Sequence, residues 1–277
     1  WYKGADFTAK YAKVKTKDDE QPKDEVLVRQ NGNPTYLTAD IAYHKNKFDR
    51  GFERCIDIWG ADHHGHVARM KGAMDAIGLD GEKLDVILMQ LVRLMKDGQP
   101  VRMSKRTGKA IQLGDLLDEV PVDSARFLFN MREANSQMDF DLDLALQQDA
   151  QNPVYYVQYA HARICSILRA MAAEGITPRD CTDEELALLT APEEVELMRH
   201  LSAYTDEIIT AARDYDPARI TRYVITTANL FHKFYNACRV KGVEESLSAA
   251  RLNLCLATKI VIRNVLNLLK ITVPESM

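Results

Sequence analysis

The apolar residues of this 277-residue chain change their spacing part-way along, and that change limits what it can fold into. In the first part, short alternating runs are separated by glycine and polar turns. Arg54 to Trp59 (R-C-I-D-I-W) alternates as a strand does and stops at Gly60. From Gly65 to Ile77, Val67, Met70, Ala73, Met74 and Ile77 recur at spacings of three and four, which predicts a helix. A third run, Asp85 to Leu94, is rich in Val, Ile and Leu, and Asp97-Gly98 then turns the chain into Pro100 to Met103 as a hairpin. Strand, helix and strand at this spacing is the βαβ grammar of a parallel sheet. Upstream, Lys17 to Asp24 alternates charge like a solvated loop, Glu25 to Gln30 (E-V-L-V-R-Q) alternates like a strand, and Asn31-Gly32-Asn33-Pro34 supplies turn chemistry.

From Val122 onward glycine is reduced to Gly175 and Gly242, and apolar spacing is helical nearly to the end. Asn152-Pro153 reads as an N-cap and first helical residue, opening a helix through Arg169. A second helix is expected near Pro192, capped by Thr190, with Leu197, Leu201, Ile208 and Ala212 recurring. Pro217 opens a third, with Ile220, Val224, Thr227, Phe231, Phe234 and Cys238 on one stripe, and a fourth runs from about Leu247 to Ile271. Four long amphipathic segments with short connections predict a helical bundle. The expected division is 1–111, 112–151 and 152–277, an α/β part, connecting helices and the bundle.

Composition narrows the partners. Thirty-six Lys and Arg against 40 Asp and Glu give a net charge of −4, which excludes a basic-tail binder of nucleic acid or membrane. Charge interrupts every apolar stretch well before the ~20 residues a spanning helix needs, and no signal-type segment opens the chain. A soluble, cytoplasmic protein without a membrane partner is expected. Cys55, Cys165, Cys181, Cys238 and Cys255 form an odd, scattered set without a C-x-x-C, so buried thiols are expected rather than disulfides or a thiolate zinc site.

Two clusters could carry chemistry. Gly60-Ala61-Asp62-His63-His64-Gly65-His66 lies at the carboxyl end of a parallel strand, where open α/β sheets place ligands. Glycine there lets backbone approach a ligand, and the Asp62 carboxylate can accept both hydroxyls of a ribose. Three readings stay open at this point: a nucleotide-binding turn, a Zn or Mn site of the metallophosphoesterase kind, and polar caps on the following helix. The second cluster, Val101 to Lys109 (V-R-M-S-K-R-T-G-K), lies in a stretch from Arg93 that holds six basic residues and one acid. Lysine, arginine and backbone N–H groups on such a loop suit a polyphosphate, and a solvated basic loop is the other reading of the run by itself.

Together, W-G-A-D-H-H-G, then R-M-S-K-R-T-G about 40 residues on, then a helical bundle, resemble the class I aminoacyl-tRNA synthetases and specifically the arginyl-tRNA synthetase family. The second motif is the family's K-M-S-K-S loop, with Arg102 in place of the first Lys, Met103, Ser104 and Lys105 matching, and Arg106 in place of the last Ser. The stretch Asn33-Pro34-Thr35-Tyr36-Leu37-Thr38-Ala39-Asp40 resembles the segment that reads the arginine side chain. A tyrosine and a carboxylate one helical turn apart would stack on a guanidinium and accept its hydrogen-bond fork, which lysine cannot imitate. The run from Asn152 (N-P-V-Y-Y-V-Q-Y-A-H-A-R) resembles the family's anticodon-binding domain.

The resemblance implies the C-terminal half of a Rossmann-like class I catalytic domain followed by an all-α anticodon-binding bundle. It implies arginine at Tyr36 and Asp40, and ATP at Gly60, Asp62, His63, His66 and Met103. Arg102, Ser104 and Lys105 would act on the pyrophosphate, and Tyr155, Tyr159 and Tyr235 would meet tRNA. ATP would arrive with Mg, with no tightly bound protein metal, and the partners would be tRNA(Arg), arginine and ATP on a monomer. No His-Ile-Gly-His type motif occurs, and the chain opens on Trp1. The expectation is therefore a C-terminal part of the enzyme, inactive in arginine activation by itself.

Overall fold

The computed structural model describes residues 1–12, 23–101 and 111–277. These divide into two compact units, Trp1–Leu91 with Ala134–Gln137, and Val92–Glu133 with Met138–Met277.

The first unit begins with a short helix α1 (Gly4–Phe7) and carries α2 (Tyr36–Asp49), strand β1 (Cys55–Gly60), α3 (His64–Ala76) and strand β2 (Leu84–Met89). The expected βαβ unit is present: β1 and β2 run parallel, Cys55 opposite Leu84 and Gly60 opposite Met89, with α3 as the crossover. Met70, Ala73 and Met74, three of the predicted stripe, are buried with Cys55 and Leu84, joined by Leu37 and Ile41 of α2. Each fully enclosed large side chain in that cluster contributes roughly 1.5–3 kcal/mol.

Glu25 to Gln30 does not form the expected strand. It makes only isolated bridges, Tyr2 with Glu25 and Val28 with Pro34. Pro34 has no N–H to extend a ladder, and the Arg29 N–H donates instead to the Asn33 carbonyl as Gly32 turns at φ 80°. The third run is also two strands rather than one. After β2 the Gln90 N–H leaves the ladder for the Ala134 carbonyl, 2.8 Å away, and a new strand starts at Val92.

In the second unit β3 (Val92–Lys96) and β4 (Gln99–Val101) form the expected hairpin. Asp97 and Gly98 at its tip both have positive φ, 51° and 70°, as a tight primed turn requires. Helices α4 (Leu113–Glu119) and α5 (Val122–Phe129) follow. Next comes β5 (Met138–Asp141), which pairs parallel with β3 and gives the order β4-β3-β5. This strand corrects the expectation of helix throughout: M-D-F-D is too short to display a period, and its pairing partner lies over 40 residues upstream. Phe140 buries this sheet against Leu116, Leu128 and Leu142, the last in the short α6 (Leu142–Leu146).

The bundle matches the sequence closely. Asn152 caps α7 (Pro153–Ala173), its side chain accepting from the Val154 N–H, and the helix continues one turn past Arg169. A four-residue α8 (Asp183–Leu186) precedes α9 (Pro192–Ser202) and α10 (Tyr204–Asp214), which replace the single helix expected there and break at Ala203. Ala191, not Thr190, is the cap residue of α9, and its N–H donates to the Glu194 carboxylate at 2.8 Å. On α11 (Ala218–Ala237) the predicted stripe from Ile220 to Cys238 is buried throughout. It packs with Ile164, Leu197 and, from α12 (Glu245–Leu268), Leu252, Ile262 and Leu266. Among the described residues no helix is long and apolar enough to cross a membrane. All five thiols are free, four of them buried and Cys181 half-buried.

Candidate active site and helical cavity

Strand β1 presents its residues in an order opposite to the usual one. Ile56 and Ile58 stand 49% and 63% exposed, whereas Asp57 points to the side packed against α2. At the end of this strand the chain enters a single 3-10 turn, Ala61–His63, and then α3. A Cβ at Gly60 would lie 2.5 Å from Asp62 Oδ1, so a larger residue at the junction would turn the exposed carboxylate out of its present position.

A cavity of about 1140 Å³ opens above this junction. Tyr36, Asp40, Gly60, Asp62, His63 and His66 all line it, so two motifs about 20 residues apart in sequence share one space. Tyr36 is the first residue of α2, 88% exposed, and Asp40 follows one turn later on the same helix. His66 Nε2 stands 3.8 Å from Asp40 Oδ2, and its ring lies 5.4 Å from that of Trp59. Burial and then the neighbouring Arg69 hold His66 below its usual pKa. Arg69 is itself paired with Glu25 at 2.7 Å, while its Nε is buried without a partner among the described residues. Arg102, Met103, Ser104 and Lys105 lie outside the described residues.

The helix-cap reading of Gly60 to His66 finds no footing. His63, at the N-cap of α3, makes no side-chain capping bond. Asp62 and His63 approach each other to 3.7 Å with both side chains mostly exposed. Among the described residues no three His, Cys, Asp or Glu side chains are grouped to hold a metal ion.

Sequence reasoning missed a buried cluster in the cavity floor. His44 Nδ1 lies 2.7 Å from the Asp40 carbonyl and its Nε2 lies 2.7 Å from Asp57 Oδ2, with Lys47 Nζ donating to Asp57 Oδ1 at 3.1 Å. Burial opposes charge on the His44 ring, but the hydrogen bonds to Asp57 and to the Asp40 carbonyl together outweigh it and raise its pKa. For Asp57 burial pulls upward, and the bonds from His44 and Lys47 pull the carboxyl below its usual value. The available signal was an aspartate in the I-D-I alternation, which faces away from its apolar neighbours.

The second unit holds its own smaller cavity, about 360 Å³, lined by Tyr155, Tyr156, Tyr159, Arg163, His232 and Asn236. Tyr155 and Tyr159 are thus brought together. Tyr235 is not in this lining; its ring stacks on Phe231 and lies 4.7 Å beneath the Arg163 guanidinium. His232, 5.2 Å from the Tyr156 ring, has both ring nitrogens buried without a partner among the described residues, and burial lowers its pKa. The Tyr156 hydroxyl donates to Asn229 Oδ1 at 2.7 Å, linking α7 to α11.

A parallel strand–helix–strand unit with a cavity at the strand's end, followed by a helical bundle, matches the arrangement expected of a class I aminoacyl-tRNA synthetase. The family model described as tRNA synthetases class I (R), catalytic domain, matches residues 12–166, and the DALR anticodon binding domain matches 157–277. The chain belongs to the arginyl class of the class I tRNA synthetases. It is 60% identical over 256 residues to an arginine–tRNA ligase of Caldanaerobacter subterraneus subsp. tengcongensis, covering 92% of this chain and 46% of the relative. It is 58% identical to that of Ruminiclostridium cellulolyticum over 92% of this chain and 45% of the relative. The chain therefore spans about half the length of the curated relatives it matches. Among solved structures, an arginyl-tRNA synthetase of Campylobacter jejuni superposes at a TM-score of 0.81 with 33% identity, covering 98% of this chain and 57% of that one. The Thermus thermophilus arginyl-tRNA synthetase shares the fold at a TM-score of 0.77 with 23% identity, over 91% of this chain and 51% of that one.

Proposed function

We propose that this chain carries the arginine-reading and tRNA-reading parts of an arginine–tRNA ligase, a cytoplasmic monomer that uses ATP as its Mg complex. The observation that carries this reading is the shared lining of one cavity by Tyr36, Asp40, Gly60, Asp62, His63 and His66. An arginine guanidinium stacks on the exposed Tyr36 ring and gives its hydrogen-bond fork to Asp40. The adenosine of ATP lies along Gly60, with its ribose hydroxyls donating to Asp62 and its base end near His63, His66 and Met103.

The arginine carboxylate then attacks the α-phosphorus, forming arginyl-adenylate and releasing pyrophosphate. Arg102, Ser104 and Lys105 stabilise the charge on that leaving group. A terminal ribose hydroxyl of tRNA(Arg) attacks the arginyl carbonyl and AMP departs. No side chain forms a covalent bond to substrate, so rate enhancement comes from positioning and charge stabilisation. In the bundle, Tyr155 and Tyr159 offer faces on which unstacked bases of tRNA can lie, with Tyr235 and Arg163 beside them.

Calorimetric titration of L-arginine and L-lysine into the chain tests the reading. Arginine binds, lysine does not, and Asp40→Asn removes the preference. Equal binding of the two amino acids overturns it. For the bundle, binding of tRNA(Arg) weakens as salt rises and when the anticodon loop is changed; indifference to the loop overturns that half.

A further inference from the structure

We infer that His44 is a positioning residue for the arginine site, an imidazolium that fastens the Asp40 turn of α2 to strand β1. The inference rests on the reading that Asp40 receives the guanidinium. Its own ground is the set of groups around the ring. Nδ1 faces the Asp40 carbonyl oxygen at 2.7 Å and Nε2 faces a carboxylate oxygen of Asp57 at 2.7 Å. Both partners only accept. A neutral imidazole has a single N–H, so one of these contacts would set lone pair against lone pair. The side chain is 5% exposed and Asp57 10%, which leaves little room for water to mediate either contact. Two protons on the ring satisfy both bonds.

Among the charges near the ring, the Asp57 carboxylate sustains that state and the Lys47 ammonium opposes it. From β1, Asp57 supplies the carboxylate. From α2 itself come Lys47, which donates to the other Asp57 oxygen, and Tyr43, over whose ring the Lys47 ammonium sits at 4.6 Å. From α3, His66 and Arg69 line the same cavity. Asp57 is thus one carboxylate shared between two cations, and removing it leaves the imidazolium with Lys47 and no counter-charge.

The strut joins two elements that line the cavity, α2 and β1. On one side it holds the backbone of Asp40, the residue whose carboxylate reads the substrate, one turn after Tyr36. On the other it holds β1 three residues before Gly60, where the nucleotide-binding turn begins. When the ring loses a proton, one bond breaks and the Asp40 turn is free to shift. Arginine affinity therefore declines as pH rises above the ordinary histidine range.

The test uses the 277-residue chain. Long-range proton–nitrogen NMR of the imidazoles reads the charge state of His44, and calorimetry reads arginine binding over the same pH range. In the wild type His44 keeps the doubly protonated signature at pH 7, and arginine affinity falls with rising pH. Asp57→Asn, which preserves shape, converts His44 to a neutral ring at pH 7, weakens arginine binding about tenfold, and flattens this pH dependence. His44→Asn keeps a donor toward the Asp40 carbonyl but not toward Asp57, and His44→Gln keeps the reverse. Each restores only part of the affinity lost in His44→Ala. Where His44→Ala does not fold, the isosteric Asp57→Asn decides the matter. A neutral His44 in the folded wild type at pH 7 overturns the inference while leaving the arginine reading intact. So does unchanged arginine binding in Asp57→Asn. Absence of arginine binding by the wild type overturns the reading, and the inference with it, whatever the charge of His44.

Discussion

His66 Nε2 stands 3.8 Å from Asp40 Oδ2, so an imidazole already faces the carboxylate assigned to the guanidinium. Because burial and Arg69 hold the His66 pKa below 6.5, the ring is neutral at pH 7 and does not compete with the substrate's charge. Below that depressed value it becomes a cation beside Asp40. Arginine affinity is expected to fall on the acid side of pH 6.5, and His66→Asn is expected to abolish that acid limb while leaving binding at pH 7 within about threefold. Calorimetric titrations from pH 5 to pH 7 check it; an acid limb that survives in His66→Asn refutes the assignment.

The His44–Asp57 pair makes stability depend on pH in a defined window. His44 has a raised pKa in the folded chain, so its contribution is complete below about 6.5 and is lost as pH rises through the folded value. Asp57 has a lowered one, so its contribution is complete above about 3.8 and is lost as pH falls through its folded value. The stability difference between wild type and Asp57→Asn is therefore expected to be greatest between about pH 4 and 6.5, at roughly 1–3 kcal/mol. Urea midpoints of the two proteins across pH 4 to 9 give the difference directly, and a pH-independent difference would count against the charged pair.

The parts of this molecule that were legible in sequence are those whose cause is local. Gly60 ends β1 where an alternating run meets a polar turn, Asn152 caps α7 immediately before a proline, and Ile220 to Cys238 declares a buried stripe by spacing alone. Tyr36 and Asp40 were singled out by resemblance to the family's arginine-reading segment, and the structure sets them one turn apart at the start of α2. What stayed hidden depends on partners distant in the chain. β5 exists because β3 offers it an edge, and Glu25 to Gln30 fails as a strand because its partner segment ends in Pro34. Asp57 became part of the site only when α2 brought His44 and Lys47 to it. An alternating run states which residues share a face but not which helix covers that face.

Arg251 and Glu194 form the bundle's most enclosed ion pair. Arg251 Nε donates to Glu194 Oε1 at 2.6 Å, and the Glu194 side chain is 1% exposed. Arg251 also donates to the Arg239 carbonyl, while Glu194 accepts the Ala191 N–H at the start of α9. Arg251→Met strands the carboxylate away from water and is expected to cost about 3–5 kcal/mol. Replacing Glu194 with Gln in the same protein removes the stranded charge and recovers a large part of that loss. Chemical denaturation of the two variants checks this, and a double variant no more stable than Arg251→Met would refute the explanation.

Tyr159 is the aromatic through which the tRNA proposal is most sharply tested, because its removal does not open the core. It lines the smaller cavity yet is 42% exposed, whereas Phe231 and Phe234 of the bundle core are fully enclosed. Tyr159→Ala should leave the unfolding midpoint nearly unchanged. If a base stacks on its ring, the same change removes about 1–3 kcal/mol of binding, roughly 5- to 150-fold in affinity for tRNA(Arg). Phosphate contacts made by arginine and lysine are untouched, so the salt dependence of binding keeps its slope. Loss of affinity with an unchanged slope places a base on Tyr159. A reduced slope instead means that the substitution disturbed nearby cations such as Arg163, and unaltered affinity excludes Tyr159 from the contact altogether.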